Sequence, residues 1–419
     1  MDRLEQAGFA AYAVGGCVRE SLLGRTPADF DLCTAALPEQ TEAVFQDHKL
    51  VLAGKKHGTV GVVTPTGVVE ITTFRTEGDY RDNRHPEWVT FVDHINGDLA
   101  RRDFTINAMA WSPYRGFADP FGGQEDLKHQ VLRAVGDPAQ RFREDSLRIL
   151  RGARFAAKYH LTPDPATEQA MFALTGLMEH LARERVFDEL CKLLLVCDSQ
   201  DLIRFAPIVT AAIPELSDAV GFEQHNPHHT RDVYGHIAQV VEGVPKSLAL
   251  RWAALLHDVG KPATFSRDGE GIGHFFGHAK VSGQMADQIL RRLKAPTALR
   301  EQVVFLVEQH MTPLIPDRKL LRRRLSQYGT ENLQLLLALQ RADGLDPTGI
   351  EPLLTDLLAE NSCLKLKDLA INGHDLMELG FSGRAIGQCL QCLLEQVLEE
   401  TLPNEKTALL KAATERKSQ

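Results

Sequence analysis

Residues 11–34 read AYAVGGCVRESLLGRTPADFDLCT, and this stretch decides the fold of the first part of the chain. Ala11 to Val14 predicts a short strand entering the glycine pair Gly15-Gly16. Val18 to Leu23 predicts a helix ended by Gly24, and Phe30 to Cys33 predicts a second strand carrying both Asp29 and Asp31. Two residues apart on a strand, those carboxylates face one way. Such a pair suits divalent cations, and two cations about 3.5–4 Å apart clamp the attacking and leaving oxygens of an in-line phosphoryl displacement. The paired glycines admit backbone N–H groups close to a triphosphate. Arg19 adds a fixed positive charge at the phosphates. A bare Asp-x-Asp after a glycine turn is ordinarily a solvated strand edge. Glycine pair, arginine and aspartates together at this separation are what nucleotidyl transfer needs.

Outward from that stretch, residues 1 to about 112 read as mixed strand and helix. Val60 to Val63 and Val68 to Phe74 are β-rich runs joined by Thr64-Pro65-Thr66-Gly67, a hairpin signal. The segment TEGDYRDNRHPEWVTFV, residues 76–92, reads as a charged loop beside the site or as a solvated surface loop. LARRDFTINAMAW brings Arg101, Arg102 and Asp103 before an apolar run, and ADPFGG marks the way out of the first domain. From about residue 138 the chain turns helical. In RFREDSLRILRGARFAAKYHL, Asp145, Arg148, Arg151 and Arg154 are spaced by three along an expected helix. Asp145 and Arg148 side by side offer an acceptor and donors to a base edge, or form an ordinary ion pair on a solvated helix.

The length of 419 residues allows two to four domains. No apolar run approaches the roughly 18–20 residues of a membrane span, so no membrane partner is expected. The N-terminus does not read as a signal peptide. Seven scattered cysteines suit a reducing cytoplasm, and Cys389 and Cys392 read as helix-core residues rather than a zinc site. A net charge of −9 requires any nucleic-acid surface to be a local patch.

GGCVRE…DFD resembles the active-site motif of polymerase-β-like nucleotidyltransferases. With RRDFTINA, DPFGG and REDSLRILRGARF in this order, the chain resembles bacterial-type (class II) CCA-adding tRNA nucleotidyltransferases and their poly(A) polymerase relatives. The match is continuous over about residues 8–160 and looser beyond. The resemblance implies that Asp29 and Asp31 hold Mg²⁺ and catalyse. It implies that Gly16 and Arg19 contact the triphosphate, and Arg102 and Asp103 the nucleotide. Asp145 and Arg148 are implied to pair with the incoming base, with Arg151 and Arg154 as further nucleotide contacts. A third carboxylate often completes the cation cradle in that superfamily, which makes Glu70 a candidate or else a polar strand position. TEGDYRDNRHPEWV is similar to the family's flexible loop, which favours full CCA addition, although Arg84-His85 replaces the two arginines many relatives carry. The implied partners are tRNA, CTP and ATP.

A second constellation starts near residue 222. His236, the pair His257-Asp258, His278, His310 and Asp343 supply imidazole and carboxylate ligands that suit several divalent metals. The arrangement resembles the HD phosphohydrolase superfamily, which implies His236, His257, Asp258 and Asp343 as metal ligands, with His278 and His310 matching the two-metal members. Hydrolysis of 2′,3′-cyclic or terminal phosphates is one expectation; a domain that keeps its ligands for stability or tRNA docking is the other. Arg318, Lys319 and Arg322 to Arg324 form a basic cluster that meets phosphates or covers a solvated helix face.

The expected fold class is α+β: a small polymerase-β-like head of mixed sheet and helices, then an all-α body containing an HD domain. The expected divisions are a head over 1–137, a helical neck over 138–221, the HD domain over 222–345 and a C-terminal helical tRNA-binding tail over 346–419. The expected activity is template-independent addition of CCA to tRNA. Poly(A) polymerase is the near alternative, and a uridylyltransferase joined to an HD hydrolase the distant one. A metal phosphohydrolase with a nucleotide-binding head is a third class.

Overall fold

The computed structural model describes residues 1–78, 88–225, 231–345, 348–360 and 363–417. The chain divides into two compact units, Met1–Phe222 with Ile289–Ala295 and Glu223–Gln288 with Pro296–Gln419.

The first unit opens with a mixed α/β head. Its strands are β1 (Ala11–Val14), β2 (Asp31–Thr34), β3 (Leu50–Val51), β4 (Thr59–Thr64), β5 (Gly67–Thr73), β6 (Arg75–Glu77), β7 (Val89–Phe91), β8 (Ala110–Ser112) and β9 (Gly116–Ala118). Seven of them form one sheet in the order β3-β4-β5-β2-β1-β8-β9, while β6 pairs with β7. β2 and β5 run parallel, which sets Asp31 beside Glu70, and the other neighbours run antiparallel. Alternation along β2 sends Cys33 into a core with Val14, Phe74 and Leu99, and Leu32 against a second core of Leu4, Phe45, Val62 and Ile71. Both faces of the sheet are therefore covered, and the strand ends remain to carry chemistry.

Three local readings need correction. The first helix is Gly16–Leu22, not Val18–Leu23, because Gly15 breaks the strand at φ +70° and the helix starts directly after it. β2 starts at Asp31, where its pairing with β5 begins, so Asp29 lies in the preceding loop and not on the strand. Asp145 lies outside a helix. The helix Pro138–Glu144 ends there, with Asp145 extended at φ −140° and ψ 102°, and a new helix runs over Leu147–Tyr159. The β4–β5 hairpin turns at Pro65-Thr66 as its sequence predicts. The segment read as a loop begins and ends in the paired strands β6 and β7; its middle, residues 79–87, lies outside the described residues.

After the head, the first unit is helical. Helix Leu147–Tyr159 buries Ile149, Leu150, Ala153 and Ala156 and packs with helix Arg183–Leu194. Phe155 meets Phe104 edge-on at 5.8 Å, which joins this helix to the head segment. A two-residue parallel ladder, Val131–Leu132 with Thr162–Pro163, reinforces the junction.

The second unit is built from helices, among them Val233–Gly243, Leu248–Leu256, Thr297–Gln309 and Thr330–Ala342. The all-α expectation for the body misses one small element here, a two-residue ladder of Ser266–Arg267 with Gly273–His274. Cys389 is buried in the helix Arg384–Leu398, among Leu393, Leu394 and Val397. No helix among the described residues is long and apolar enough to cross a membrane.

Candidate active site and metal cluster

In the first unit, β1 ends at Gly15, and the helix from Gly16 carries Arg19 back over a cavity of about 470 Å³. Gly16, Arg19, Arg102, Asp103, Asp145, Arg148, Arg151 and Arg154, all singled out from sequence, line it, together with Asp31. Asp29, in the loop before β2, does not line it. Seven arginines face three aspartates there, a charge balance made for an anion.

The arginines are held in place by carboxylates. Asp98 is fully buried and binds Arg101 at 2.7 Å and Arg102 at 3.2 Å. Burial alone would raise the Asp98 carboxyl pKa, but the two guanidiniums hold it low. The Cys33 thiol beside it is pushed up to about 12 by burial and by the Asp98 charge, so it is an inert packing group. Glu144 holds Arg148 at 2.8 Å, and Glu189, buried on helix Arg183–Leu194, holds Arg154 at 2.6 Å.

A chain of hydrogen bonds joins the three sequence motifs. Arg19 donates to the side-chain oxygen of Asn107. Asn107 Nδ2 donates to Asp103 Oδ1 at 2.9 Å, and Arg151 donates to Asp103 Oδ2 through Nε at 2.8 Å and Nη2 at 2.6 Å. Burial would raise the Asp103 pKa, but Arg151, Asn107 and Arg148 hold it well below the usual carboxylate range. The Arg19 guanidinium also lies 4.6 Å from the Tyr159 ring centre. Each motif thereby fixes the geometry of the next.

At the start of the central strand β2, Asp31 is solvent-accessible. Partial desolvation, followed by the charges of Asp29 and Glu70, raises its pKa. Three crowded carboxylates with an oxygen-only donor set suit a hard cation such as Mg²⁺.

In the second unit, His236, His257, Asp258 and Asp343 bring one ligand atom each within 4.8 Å of one another, and Asp258, His278 and His310 do the same. Asp258 belongs to both groups. His257, His310 and Asp343 each directly follow the last residue of a helix, so three helix C-termini turn their partial negative charge toward the cluster. Nδ1 of His257 lies 2.8 Å from Ala254 O, Nδ1 of His278 lies 2.8 Å from Phe275 O, and Nδ1 of His310 lies 2.6 Å from Val307 O. A carbonyl only accepts, so Nδ1 carries the hydrogen in each ring, and a neutral ring turns its Nε2 lone pair inward. The Nε2 atoms of His278 and His310 face each other at 3.1 Å. Burial would lower the His257 pKa, yet Asp258 and Asp343 push it up to about 10, while burial and the neighbouring His257 charge lower His310 to about 4. Asp258 is ringed by cationic and imidazole groups: Lys261 Nζ lies 2.7 Å and His257 Nε2 3.1 Å from Oδ2, and His278 Nε2 lies 3.2 Å from Oδ1. Imidazole Nε2 atoms that face one another across shared carboxylates fit a bound cation.

The basic cluster reads differently in the structure. Glu360 and Glu400 hold Arg318, Glu400 holds Arg322 at 2.9 Å, and Glu399 holds Arg323. These guanidiniums staple helices together instead of forming an open phosphate patch. Sequence reading also missed Arg185, which lines the cavity, and Asp98 and Glu189, which hold its arginines from behind. Glu189 and Arg185 find their partners 35 and 40 residues away, which only the fold reveals, whereas Asp98 pairs with arginines three and four residues on.

A carboxylate group at the end of a central strand, beside an arginine cavity, defines a nucleotidyltransferase-type head. Residues 11–133 match the model of the poly(A) polymerase head domain, 160–205 that of an RNA- and SrmB-binding site of polymerase A, and 264–413 that of tRNA nucleotidyltransferase domain 2. A CCA-adding enzyme from Levilactobacillus brevis is 34% identical over 423 residues, covering 99% of this chain and 96% of that protein. The crystal structure of the Bacillus stearothermophilus CCA-adding enzyme in complex with CTP superposes with a TM-score of 0.75 at 28% identity, over 100% of this chain and 95% of that one. A Thermotoga maritima CCA-adding enzyme complexed with tRNA shares the fold at 22% identity and a TM-score of 0.63, over 99% of this chain and 93% of that one. The chain belongs to the CCA-adding enzymes, the bacterial-type tRNA nucleotidyltransferases.

Proposed function

We propose that this chain adds C, C and A to the 3′ end of tRNA from CTP and ATP. The observation that carries this reading is the convergence of three motifs on one arginine-rich cavity through the Arg19–Asn107–Asp103–Arg151 hydrogen-bond chain. Asp29 and Asp31, with Glu70 beside Asp31, would hold Mg²⁺, which as a Lewis acid favours the attacking alkoxide and the departing pyrophosphate. Arg19, Arg102 and the Gly16 backbone bind and orient the triphosphate. Asp145 with Arg148, Arg151 and Arg154 fixes the base and sugar. The tRNA 3′-oxygen then forms its bond to the α-phosphorus as the bond to pyrophosphate breaks, with the hydroxyl proton leaving to solvent. Catalysis in this account is positioning and charge stabilisation, with no side-chain nucleophile. The test is incorporation of labelled CTP into a tRNA that ends before its CCA. Incorporation lost in Asp31→Asn supports the reading; incorporation that survives this change contradicts it.

A second activity is favoured by the Asp258 arrangement. The six ligands of the second unit would form an HD-type centre for two divalent ions sharing Asp258, and such a centre lowers the pKa of bound water for attack on phosphorus. Its expected substrates are 2′,3′-cyclic or terminal phosphates. Metal-loaded protein that is inert toward cyclic nucleotides and phosphate esters contradicts the hydrolase reading and leaves the metal site to a structural role.

A further inference from the structure

The most exposed large apolar side chain among the described residues is Phe276, at 79%. It lies two residues before His278, one of the two histidines whose Nε2 atoms face each other in the second unit. Scattered exposed apolar side chains are ordinary. This one is held in place. Its ring stacks on the His274 ring, with centres 5.2 Å apart and planes 12° from parallel. His274 belongs to the small ladder of Ser266–Arg267 with Gly273–His274, and its Nε2 lies 2.7 Å from Asp268 Oδ2 within the same hairpin. The imidazole backs one face of Phe276, and the high exposure leaves the other face to solvent. A fixed aromatic ring with one free face is a platform for another flat ring.

The surroundings indicate which ring. The Phe275 carbonyl accepts from His278 Nδ1 at 2.8 Å, which ties the loop to the metal cluster. Lys261 Nζ lies 5.3 Å from the Phe275 ring centre and 2.7 Å from Asp258 Oδ2, so one ammonium joins the aromatic residues to the shared carboxylate. Phe275 packs with Phe265 at 5.5 Å, and the Arg267 guanidinium lies 5.6 Å from the Phe265 ring centre. Rings interleaved with cations suit unpaired nucleotides, whose bases stack on the rings while their phosphates meet positive charge. Two chain steps keep the Cα atoms of Phe276 and His278 within about 7–8 Å, a separation that the base and phosphate of one nucleotide can bridge.

We propose that Phe276, backed by His274, is a base-stacking platform for a nucleotide whose phosphate meets the Asp258 cluster. The inference rests on the reading of that cluster as a centre for divalent ions, and it narrows the ligands of the centre. They are nucleoside phosphates, free or at an RNA 3′ end, in preference to phosphate esters that carry no ring.

The test uses the full chain supplied with Mn²⁺. Phe276→Trp keeps a flat ring and adds a reporter, read as the difference in emission from the unsubstituted protein, which already carries three tryptophans. We expect 3′-AMP to quench this difference emission and glycerol 2-phosphate, which has no base, to leave it unchanged. A short single-stranded RNA ending in a 3′-phosphate that quenches at lower concentration than 3′-AMP identifies an RNA end as the ligand; quenching at equal concentration identifies the free nucleotide. Phe276→Ala should raise KM for 2′,3′-cyclic AMP by about tenfold or more, with a smaller change in kcat, and Phe276→Tyr should restore KM to within about threefold. No quenching by 3′-AMP, or equal quenching by glycerol 2-phosphate, overturns the proposal. So does a KM within about twofold of the unsubstituted value in Phe276→Ala. Quenching is read without turnover. Quenching in a protein inert toward 2′,3′-cyclic AMP therefore upholds the platform as a binding site and overturns the hydrolase reading alone.

Discussion

Replacing Asp103 by Asn tests the hydrogen-bond chain that joins the motifs. The amide keeps an oxygen for the Phe104 N–H and Asn107 Nδ2, now accepted at 2.8 and 2.9 Å, but turns a donor toward Arg151. Removing one partner of a buried ion pair costs about 3–5 kcal/mol. The Arg151 side chain is 35% exposed, so water reaches it and the cost falls. We expect about 2–3 kcal/mol. Because the chain has two units, hydrogen exchange of the helix Leu147–Tyr159 is a cleaner readout than a global melt. Exchange there should quicken by about 30- to 160-fold, the same free energy read as an opening constant. The pH dependence has a definite sign. The folded pKa of Asp103 is depressed, so its stabilisation is complete above its unfolded pKa of about 4 and is lost as pH falls below that value. The difference between the two proteins should therefore be full at neutral pH and shrink on acidification. Exchange unchanged within about threefold at neutral pH, or a difference that grows on acidification, refutes the reasoning.

Gly15→Ala places a residue with a Cβ at φ +70° and sets that carbon 2.7 Å from Arg102 Nη1, so kcat/KM for CTP incorporation should fall by at least about tenfold. In the second unit, elemental analysis of the dialysed full chain should give two divalent ions; Asp258→Ala should remove both, whereas Asp343→Ala and His310→Ala should each remove one, because only Asp258 serves both ligand groups. Arg322→Ala should lower thermal stability by about 1–3 kcal/mol while leaving tRNA affinity within about twofold, since that guanidinium is buried against Glu400.

Much of this was legible from residue type and spacing. β1, the glycine pair and the β4–β5 hairpin are local signals, and they fold where the pattern places them. So were the histidines and aspartates that converge in the second unit, because imidazoles and carboxylates are conspicuous beside apolar helices. Spacing could not show that Asp145 falls at a break, because a step of three to Arg148 also suits one continuous helix. Nor could it show that Asp29 precedes the strand, since strand limits depend on pairing with β5. The buried acids Asp98 and Glu189 were invisible for another reason. Glu189 reads as solvated until its distant Arg154 is known, and Asp98, although its arginines are three and four residues on, reads as an ordinary surface pair until its full burial is known. The same limit hid Arg185, and it left the basic run from Arg318 to Arg324 open between a phosphate contact and a solvated helix face, where the structure pairs three of its arginines with glutamates.

The central claim is tested most directly by the product ladder, at single-nucleotide resolution, on a tRNA lacking its CCA, with Mg²⁺ and with CTP and ATP supplied singly and together. The account predicts two additions with CTP alone, a third with ATP present, then arrest, and no product from Asp31→Asn. A long run of A, arrest after two C residues with ATP present, or a ladder unchanged by that substitution would contradict it.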